Sequence, residues 1–152
     1  MNLRRAIEIA LDKGELSGFW PFSQFPKDCC EHTCDILGYL LSEVNIQSVQ
    51  INGIYCNRNI GPEWHHVWLL TETGMIIDIT EDQFAGILLE SKDVVVVRVG
   101  KEGPAQKLFS KDRIKQPNTI FSDQNEYTDF GGRPNPRQKR LLEVYNTIKR
   151  YL

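Results

Sequence analysis

The spacing of apolar residues predicts two helices in the first third of the chain. A helical stripe indicates an amphipathic helix over residues 2–13, which ends at Gly14. A second helix is predicted to begin near Asp28, a good N-cap residue, and to continue to Val44. Its buried stripe consists of Ile36, Leu37, Leu40, Leu41 and Val44. Between the helices, prolines and irregularly spaced aromatic residues over 19–26 predict a packed loop.

After the second helix, the apolar pattern changes to the alternation that is typical of β-strands. It predicts strands over residues 47–55, 64–71 and 75–80, with Gly53 as a candidate bulge in the first of them. Residues 72–74 join the last two strands as a three-residue hairpin loop, with glycine where the left-handed conformation is needed. The loop therefore also fixes which residues of the two strands face each other.

The remainder of the chain predicts one more strand, a long irregular segment and a last helix. Four consecutive valines at 94–97 predict a fully buried strand. Residues 100–134 show no period and predict an irregular surface excursion, and residues 136–152 predict the C-terminal helix. A helix followed by an antiparallel sheet is an α+β layout. The length predicts a single domain, 1–152, with its core at about residues 25–98.

Composition places the chain among ordinary globular proteins. Hydrophobic residues make up 41% of it and charged residues 25%, which excludes a disordered, collagen-like or coiled-coil chain. With 18 Lys and Arg against 20 Asp and Glu, binding to nucleic acid through bulk charge is not expected. No apolar run approaches the roughly 20 residues of a membrane span, and Glu8 and Asp12 interrupt the stretch that a signal peptide keeps apolar. We therefore expect a cytoplasmic protein, with export as an effector left open.

The last helix and its approach carry a basic face. It consists of Arg133, Arg137, Lys139, Arg140, Lys149 and Arg150, against Glu143 alone. Such a face either binds nucleic acid or an acidic partner, or is the solvated side of an amphipathic helix. The nearly neutral net charge of the whole chain favours the solvated side.

The four cysteines are expected to be thiols. Cys29, Cys30 and Cys34 lie close together, and Cys56 is isolated. Zinc is an alternative because three histidines are also present, but the paired C-x₂₋₄-C spacing of structural zinc sites is missing. We therefore expect no metal and no other cofactor, and the cluster indicates a catalytic thiol instead.

Cys30 is the best candidate for a nucleophile. It falls in the first turn of the second predicted helix, where the helix dipole and unpaired backbone N–H groups favour a thiolate. Glu31 opposes this weakly through its negative charge. Cys34 continues the buried stripe one turn later and is expected to be a small core residue.

His66 and Asp78 are predicted to act together as a base and its orienting acid. Adjacent strand residues point to opposite faces, so His66 lies with Trp68 while His65 lies on the other face. In the register that the hairpin loop sets, His66 faces Thr80, and Asp78 is its diagonal neighbour within reach of a hydrogen bond. A carboxylate inside an apolar strand is also costly unless it is paired.

Three stretches of the chain carry a family resemblance. They read Phe25-Pro26-x-x-Cys29-Cys30, His66-Val67-Trp68-Leu69 and Ile76-Ile77-Asp78-Ile79-Thr80-Glu81-Asp82-Gln83-Phe84. The chain thereby resembles papain-like Cys-His-Asp hydrolases over roughly half its length, from Phe25 to Val97. Within them it is most similar to the glutamine-deamidating C-terminal domain of dermonecrotic-type bacterial toxins. The resemblance implies a papain-like fold, with the helix that bears the cysteine packed on an antiparallel sheet.

The resemblance also implies a role for four residues, namely the nucleophile Cys30, the base His66, the orienting acid Asp78 and the oxyanion-hole side chain Gln83. Gln24 matches the position of the oxyanion-hole glutamine in papain-like enzymes and competes with Gln83 for that role. The chain departs from the family in having Cys29 beside Cys30, so Cys29 is kept as the alternative nucleophile.

The implied activity is that of a cysteine-dependent amide hydrolase or acyltransferase that works through a thioester on Cys30. The resemblance favours deamidation of protein glutamine, and a cysteine peptidase or a transglutaminase-type enzyme shares the first half of that reaction. The alternative from another class is a non-catalytic papain-like binding module. The expected partner is a protein or peptide substrate, rather than a membrane or a nucleic acid.

Overall fold

The computed structural model describes residues 2–57, 59, 61, 63–117 and 136–152, and this part of the chain forms four helices and five strands. The helices are α1 (Leu3–Asp12), α2 (Cys30–Glu43), α3 (Pro104–Leu108) and α4 (Pro136–Lys149). The strands are β1 (Ser48–Tyr55), β2 (Trp64–Thr71), β3 (Ile76–Asp78), β4 (Arg98–Gly100) and β5 (Lys111–Pro117). The predicted α+β class is confirmed. None of the helices in the described residues is long and apolar enough to cross a membrane.

All five strands belong to one antiparallel sheet in the order β4-β3-β2-β1-β5. The β2–β3 hairpin has the predicted register, with Leu69 opposite Ile77 and Leu70 opposite Ile76. Strand β1 pairs with β2 along its whole length and with β5 on its other side. The β1–β5 register shifts at Gly53, as expected for the predicted bulge.

Helices α1, α2 and α4 contribute to a single apolar core with one face of the sheet. This core includes Val67 and Leu69 of β2 together with Ile7, Leu40 and Leu141 of the three helices. A second apolar cluster includes Trp68, Phe84, Ala105 and Phe109. The alternation of β2 therefore sends neighbouring side chains into two different cores, as the period of two predicts.

The buried strand predicted at residues 94–97 is wrong. The chain is irregular there, and the exposed fractions are 41% for Val95, 49% for Val96 and 45% for Val97. Strand β4 begins immediately afterwards at the edge of the sheet and pairs with the three-residue strand β3. Because that partner is so short, the ladder stops after three pairs and does not extend over the valines.

The irregular segment predicted at residues 100–134 is wrong in its first half, which contains α3 and β5. Strand β5 pairs with β1 at the second edge of the sheet. Residues 111–116 of this strand are all exposed, so it needs no alternation of apolar and polar residues and shows none. The remainder of the predicted segment, residues 118–135, lies outside the described residues.

Most of the other elements agree with the prediction to within a few residues, and two of the differing boundaries have local reasons. Helix α2 begins at Cys30 rather than near Asp28, because Asp28 adopts a left-handed φ of 55° and Cys29 takes the N-cap position. Strand β3 ends at Asp78, because the chain turns at Thr80 into the short 3₁₀ helix Glu81–Phe84. Both changes lie next to the residues that were predicted to form the site.

Candidate active site

Cys30 is the first residue of α2 and lies half-buried in a cleft of about 370 Å³. The cleft is also lined by Asp28, His32, Asn52, His65, Val67 and Gln83. The backbone N–H groups in the first turn of a helix have no partner within the helix, and the positive end of its dipole favours a negative charge. The position therefore combines access from solvent with an environment that favours a thiolate.

The other three cysteines lie in different environments. Cys29 is buried, donates to a backbone carbonyl 3.4 Å away, and burial raises the pKa of its thiol to about 12. Cys34 is buried against the carbonyl oxygen of Val67 at 3.5 Å, and burial raises the pKa of its thiol well above the usual range. Cys56 is exposed. Burial and a raised pKa both disfavour Cys29, the alternative nucleophile.

His66 extends from β2 into a fully buried aromatic pocket. The centroid of its ring lies 5.6 Å from that of Trp68, 4.9 Å from that of Phe84 and 5.5 Å from that of Phe109. Gly53, which pairs with His66 across β1 and β2, makes room for this packing. A Cβ there would lie 2.1 Å from the carbonyl oxygen of Phe109. The orientation of the imidazole is therefore fixed from three sides.

His66 and Asp78 form a buried pair, with 2.6 Å between His66 Nε2 and Asp78 Oδ2. Burial alone would lower the pKa of His66, but first the Asp78 carboxylate and then the Cys30 thiol raise it to about 10. The ring therefore carries its second proton at neutral pH, and the pair is an imidazolium with a carboxylate.

The second ring nitrogen of His66, Nδ1, remains to interact with Cys30. It is buried and makes no hydrogen bond of normal geometry within the described part of the chain. The Cys30 thiol nevertheless lies close enough to raise the pKa of His66 through a side-chain interaction. Because Asp78 occupies Nε2, Nδ1 is the ring nitrogen that remains for the sulfur. The three residues selected from the sequence are thus brought together, with the histidine in the middle.

Asp78 accepts hydrogen bonds on both carboxylate oxygens. Besides His66, Oδ2 accepts from Gln106 Nε2 at 2.7 Å. Oδ1 accepts from the backbone N–H of Thr80 at 2.9 Å and from its hydroxyl at 3.1 Å. Burial alone would raise the pKa of Asp78, but His66 and Thr80 lower it below the ordinary value. Asp78 therefore remains an anion although it is fully buried.

Gln106 was not among the residues predicted for the site. It is fully buried in α3, and its Oε1 accepts from the backbone N–H of Gly103 at 2.9 Å, which leaves its amide nitrogen for Asp78. Proline at the first helical position and glutamine at the third are a signal for a helix start, and this signal indicates α3. Nothing in the sequence pattern indicates that this glutamine reaches Asp78.

The two oxyanion-hole candidates lie in different places. Gln83 lines the cleft of Cys30, and one N–H of its amide donates to the carbonyl oxygen of Thr80 at 2.9 Å. Its second amide N–H is not used by that bond. Gln24 is exposed at the end of the 3₁₀ turn Phe22–Gln24, and it is not among the residues that line the cleft of Cys30. The placement therefore favours Gln83.

The neighbouring histidine has a different environment from His66. The side chain of His65 is 53% exposed, and its Nε2 lies 3.3 Å from Glu63 Oε1. His65 lines the cleft that contains Cys30. The two histidines thus lie on opposite faces of β2, as predicted from strand geometry, and only His66 is bonded to Asp78.

Arg137 of α4 offsets the negative charge next to Cys30. Its Nη2 lies 2.9 Å from Glu31 Oε1 and 2.9 Å from Asp35 Oδ2. Asp35 also accepts from Gln50 Nε2 at 2.6 Å, yet burial raises the pKa of its carboxyl to about 6. The charge of Glu31, which was expected to oppose a thiolate, is therefore paired.

Among the described residues, no group of three or more His, Cys, Asp and Glu side chains is arranged to hold a metal ion. No protein-family model, no curated protein and no solved structure matches this chain.

Proposed function

We propose that this protein is a cysteine-dependent amide hydrolase or acyltransferase, with Cys30 as nucleophile, His66 as acid and base, and Asp78 as the orienting acid. The observation that carries the proposal is the buried His66–Asp78 pair, at 2.6 Å, whose histidine also interacts with the Cys30 thiol. A nucleophile, a base and a group that orients the base are the parts that this chemistry requires.

The reaction begins with an ion pair between the Cys30 thiolate and the His66 imidazolium. Sγ attacks the carbonyl carbon of the substrate amide, and the oxyanion is stabilised by the second amide N–H of Gln83 and by backbone N–H groups at the start of α2. Nδ1 of His66 gives its proton to the leaving nitrogen as the C–N bond breaks. A thioester on Cys30 and a free amine or ammonia result.

In the second half, water or an amine attacks the thioester. His66 takes the proton of the attacking group, the C–S bond breaks, and the thiolate–imidazolium pair is restored. Water as the acceptor gives hydrolysis, and an amine gives acyl transfer. Asp78 keeps Nδ1 directed at the sulfur in both halves, because it holds Nε2 through a short hydrogen bond.

The substrate class that we propose is the side-chain amide of a protein glutamine, so that the first product is ammonia. This choice is supported by the motif resemblance around Cys30, His66 and Asp78, and a papain-like arrangement is proposed on the same ground. The order of the elements agrees with it, since the cysteine begins a helix and the histidine and aspartate follow on adjacent strands.

A glutamine-containing protein digest with an added fluorescent primary amine distinguishes the possible reactions. Release of ammonia with conversion of Gln to Glu indicates deamidation, new N-termini indicate peptide cleavage, and incorporation of the amine indicates acyl transfer. We expect deamidation with the wild type and with Cys29→Ala, and no product with Cys30→Ala. Absence of all three products, together with slow alkylation of Cys30, would favour the non-catalytic binding module.

A further inference from the structure

A second cavity opens beside the cleft that contains Cys30. It has a volume of about 320 Å³ and lies between the loop before α2 and the first turns of α4. Its walls include Phe19, Trp20, Phe22, Leu141 and Val144. His32 lines both this cavity and the cleft of Cys30, so the two are neighbours across a single side chain. We call the cavity the Trp20 pocket.

The Trp20 pocket is apolar but open to solvent. Phe22 is buried and packs edge-on against His32, with 6.4 Å between the ring centroids. Trp20 remains 61% exposed at the rim. When an apolar group enters the pocket, the exposed ring of Trp20 can cover it. The ring then becomes buried without giving up contacts within the protein, and this burial is favourable.

Among the residues that the structure describes, the ionised side chains that line the pocket are Arg137 and Arg140, and both are cationic. Arg137 is already paired with Glu31 and Asp35. Arg140 is exposed and forms no ion pair with any residue that the structure describes. His32 adds no charge at neutral pH, because burial and the nearby Arg137 lower its pKa. Within the described part of the chain, Arg140 thus adds one unpaired positive charge to the lining of an apolar pocket.

The position of Arg140 on its helix also favours a negatively charged group beside it. Arg137, Lys139 and Arg140 all lie within the first five residues of α4, at or next to the end where the helix dipole disfavours cations. A carboxylate bound next to Arg140 offsets this concentration of positive charge. An occupant that complements the pocket in charge therefore carries an acidic group beside its apolar group.

We propose that the Trp20 pocket is a substrate-recognition subsite that takes an aromatic or large aliphatic side chain of the protein substrate, next to an acidic residue that pairs with Arg140. This inference rests on the proposed function, because it places the reacting amide at Cys30. An extended polypeptide is the occupant, since only a chain that crosses His32 fills the pocket and the cleft together. The substrate segment therefore has an apolar residue and an acidic residue close to the reacting glutamine.

Peptide chloromethyl ketones test this subsite, because the Cys30 thiolate attacks their methylene carbon, forms a C–S bond and displaces chloride. One series carries Asp-Phe at successive positions on either side of the reactive group, and the matched series carries Lys-Ser. We expect at least one Asp-Phe peptide to alkylate Cys30 about tenfold faster than its Lys-Ser counterpart, the ratio that burial of one aromatic side chain provides. Equal rates for every matched pair overturn the subsite.

Three variants test whether the faster reaction with Asp-Phe peptides depends on the Trp20 pocket. Trp20→Ala and Arg140→Glu are expected to abolish the preference for Asp-Phe, whereas Lys139→Glu, the same charge change on an exposed neighbour, retains it. Iodoacetamide does not reach the pocket, so its rate with Cys30 is expected to stay unchanged in all three variants. A preference that survives both Trp20→Ala and Arg140→Glu also overturns the subsite.

Binding without reaction separates the subsite from the proposed function. In Cys30→Ala, the same peptides lacking the reactive group are titrated by fluorescence anisotropy, and the Asp-Phe peptide is expected to bind about tenfold tighter. Slow iodoacetamide labelling of Cys30 in the wild type contradicts the proposed function whatever this titration gives. Equal binding of the two peptides contradicts the subsite even when Cys30 is reactive.

Discussion

Gln106 Nε2 donates a hydrogen bond at 2.7 Å to Asp78 Oδ2, the same oxygen that lies 2.6 Å from His66 Nε2. Two donors therefore share one carboxylate oxygen in a fully buried site. In the proposed site Gln106 is a positioning residue, because it contacts the aspartate that holds the histidine and does not line the cleft of Cys30.

Replacing Gln106 is expected to alter the pH dependence of turnover. In Gln106→Met, Asp78 loses one donor, its negative charge acts more strongly on His66, and the pKa of His66 rises beyond its value of about 10. We therefore expect the alkaline limb of turnover to move to higher pH, with a loss of roughly tenfold in the maximum from looser orientation of the ring. A lower melting temperature with an unchanged pH profile would mean that Gln106 only stabilises the fold.

The four cysteines are expected to react in a definite order. After brief treatment with iodoacetamide near pH 6, peptide mapping should find the label on Cys30, because His66 and the helix start favour its thiolate. Cys29 and Cys34 should stay unlabelled in the native protein, since both are buried and burial raises the pKa of each thiol. Labelling of Cys56 first, with Cys30 untouched, would refute the choice of nucleophile.

The two adjacent histidines provide a matched pair of substitutions. His66→Ala removes the imidazolium and is expected to abolish the rapid alkylation of Cys30 at low pH. His65→Ala removes an exposed side chain on the other face of β2, and most of the rapid alkylation of Cys30 should remain. Circular dichroism checks the fold of both variants, and equal losses with the fold intact would argue against His66 as the partner of Cys30.

Much of this site follows from sequence because it depends on short-range geometry. The three-residue loop before Met75 fixes the register of β2 and β3, and that register puts Asp78 near His66. The alternation of β2 separates His65 from His66. What was missed depends on distant contacts. The valines at 95–97 are exposed, although such a run is typical of a core strand. Gln106 reaches Asp78 only because α3 packs into the second apolar cluster, with Ala105 in contact with residues distant in the sequence.

Asp35 is expected to make stability depend on pH. Burial raises the pKa of its carboxyl from the ordinary 3.8 to about 6, so between these values the folded protein holds a proton that the unfolded chain has lost. The stability contribution of this group is complete below about pH 4 and is lost as the pH rises through 6. The melting temperature of Asp35→Asn, measured relative to that of the wild type, should therefore be higher at pH 7.5 than at pH 4. The same difference at both pH values would show that this carboxyl titrates normally.

Asp78→Asn tests whether the three residues work as one unit. The change keeps the size of the side chain but alters how it can bond to His66, so we expect turnover to fall on the order of 10–10³-fold, less than the roughly 10⁴-fold loss in a serine triad. The smaller loss follows because a thiolate forms in part without help from the third residue. Unfolding of this variant would instead make Asp78 a structural partner within the sheet.

One measurement tests the proposed Cys30–His66–Asp78 unit most directly. The rate at which iodoacetamide alkylates Cys30 is measured as a function of pH in the wild type and in Asp78→Asn. In the wild type the rate should persist as a plateau well below the pH at which an ordinary thiol stops reacting, because the His66 imidazolium keeps the sulfur ionised. In Asp78→Asn the plateau should shrink. Superimposable profiles for the two proteins, or a wild-type rate that falls off with an apparent pKa of about 8.5 as in a free thiol, would contradict the triad.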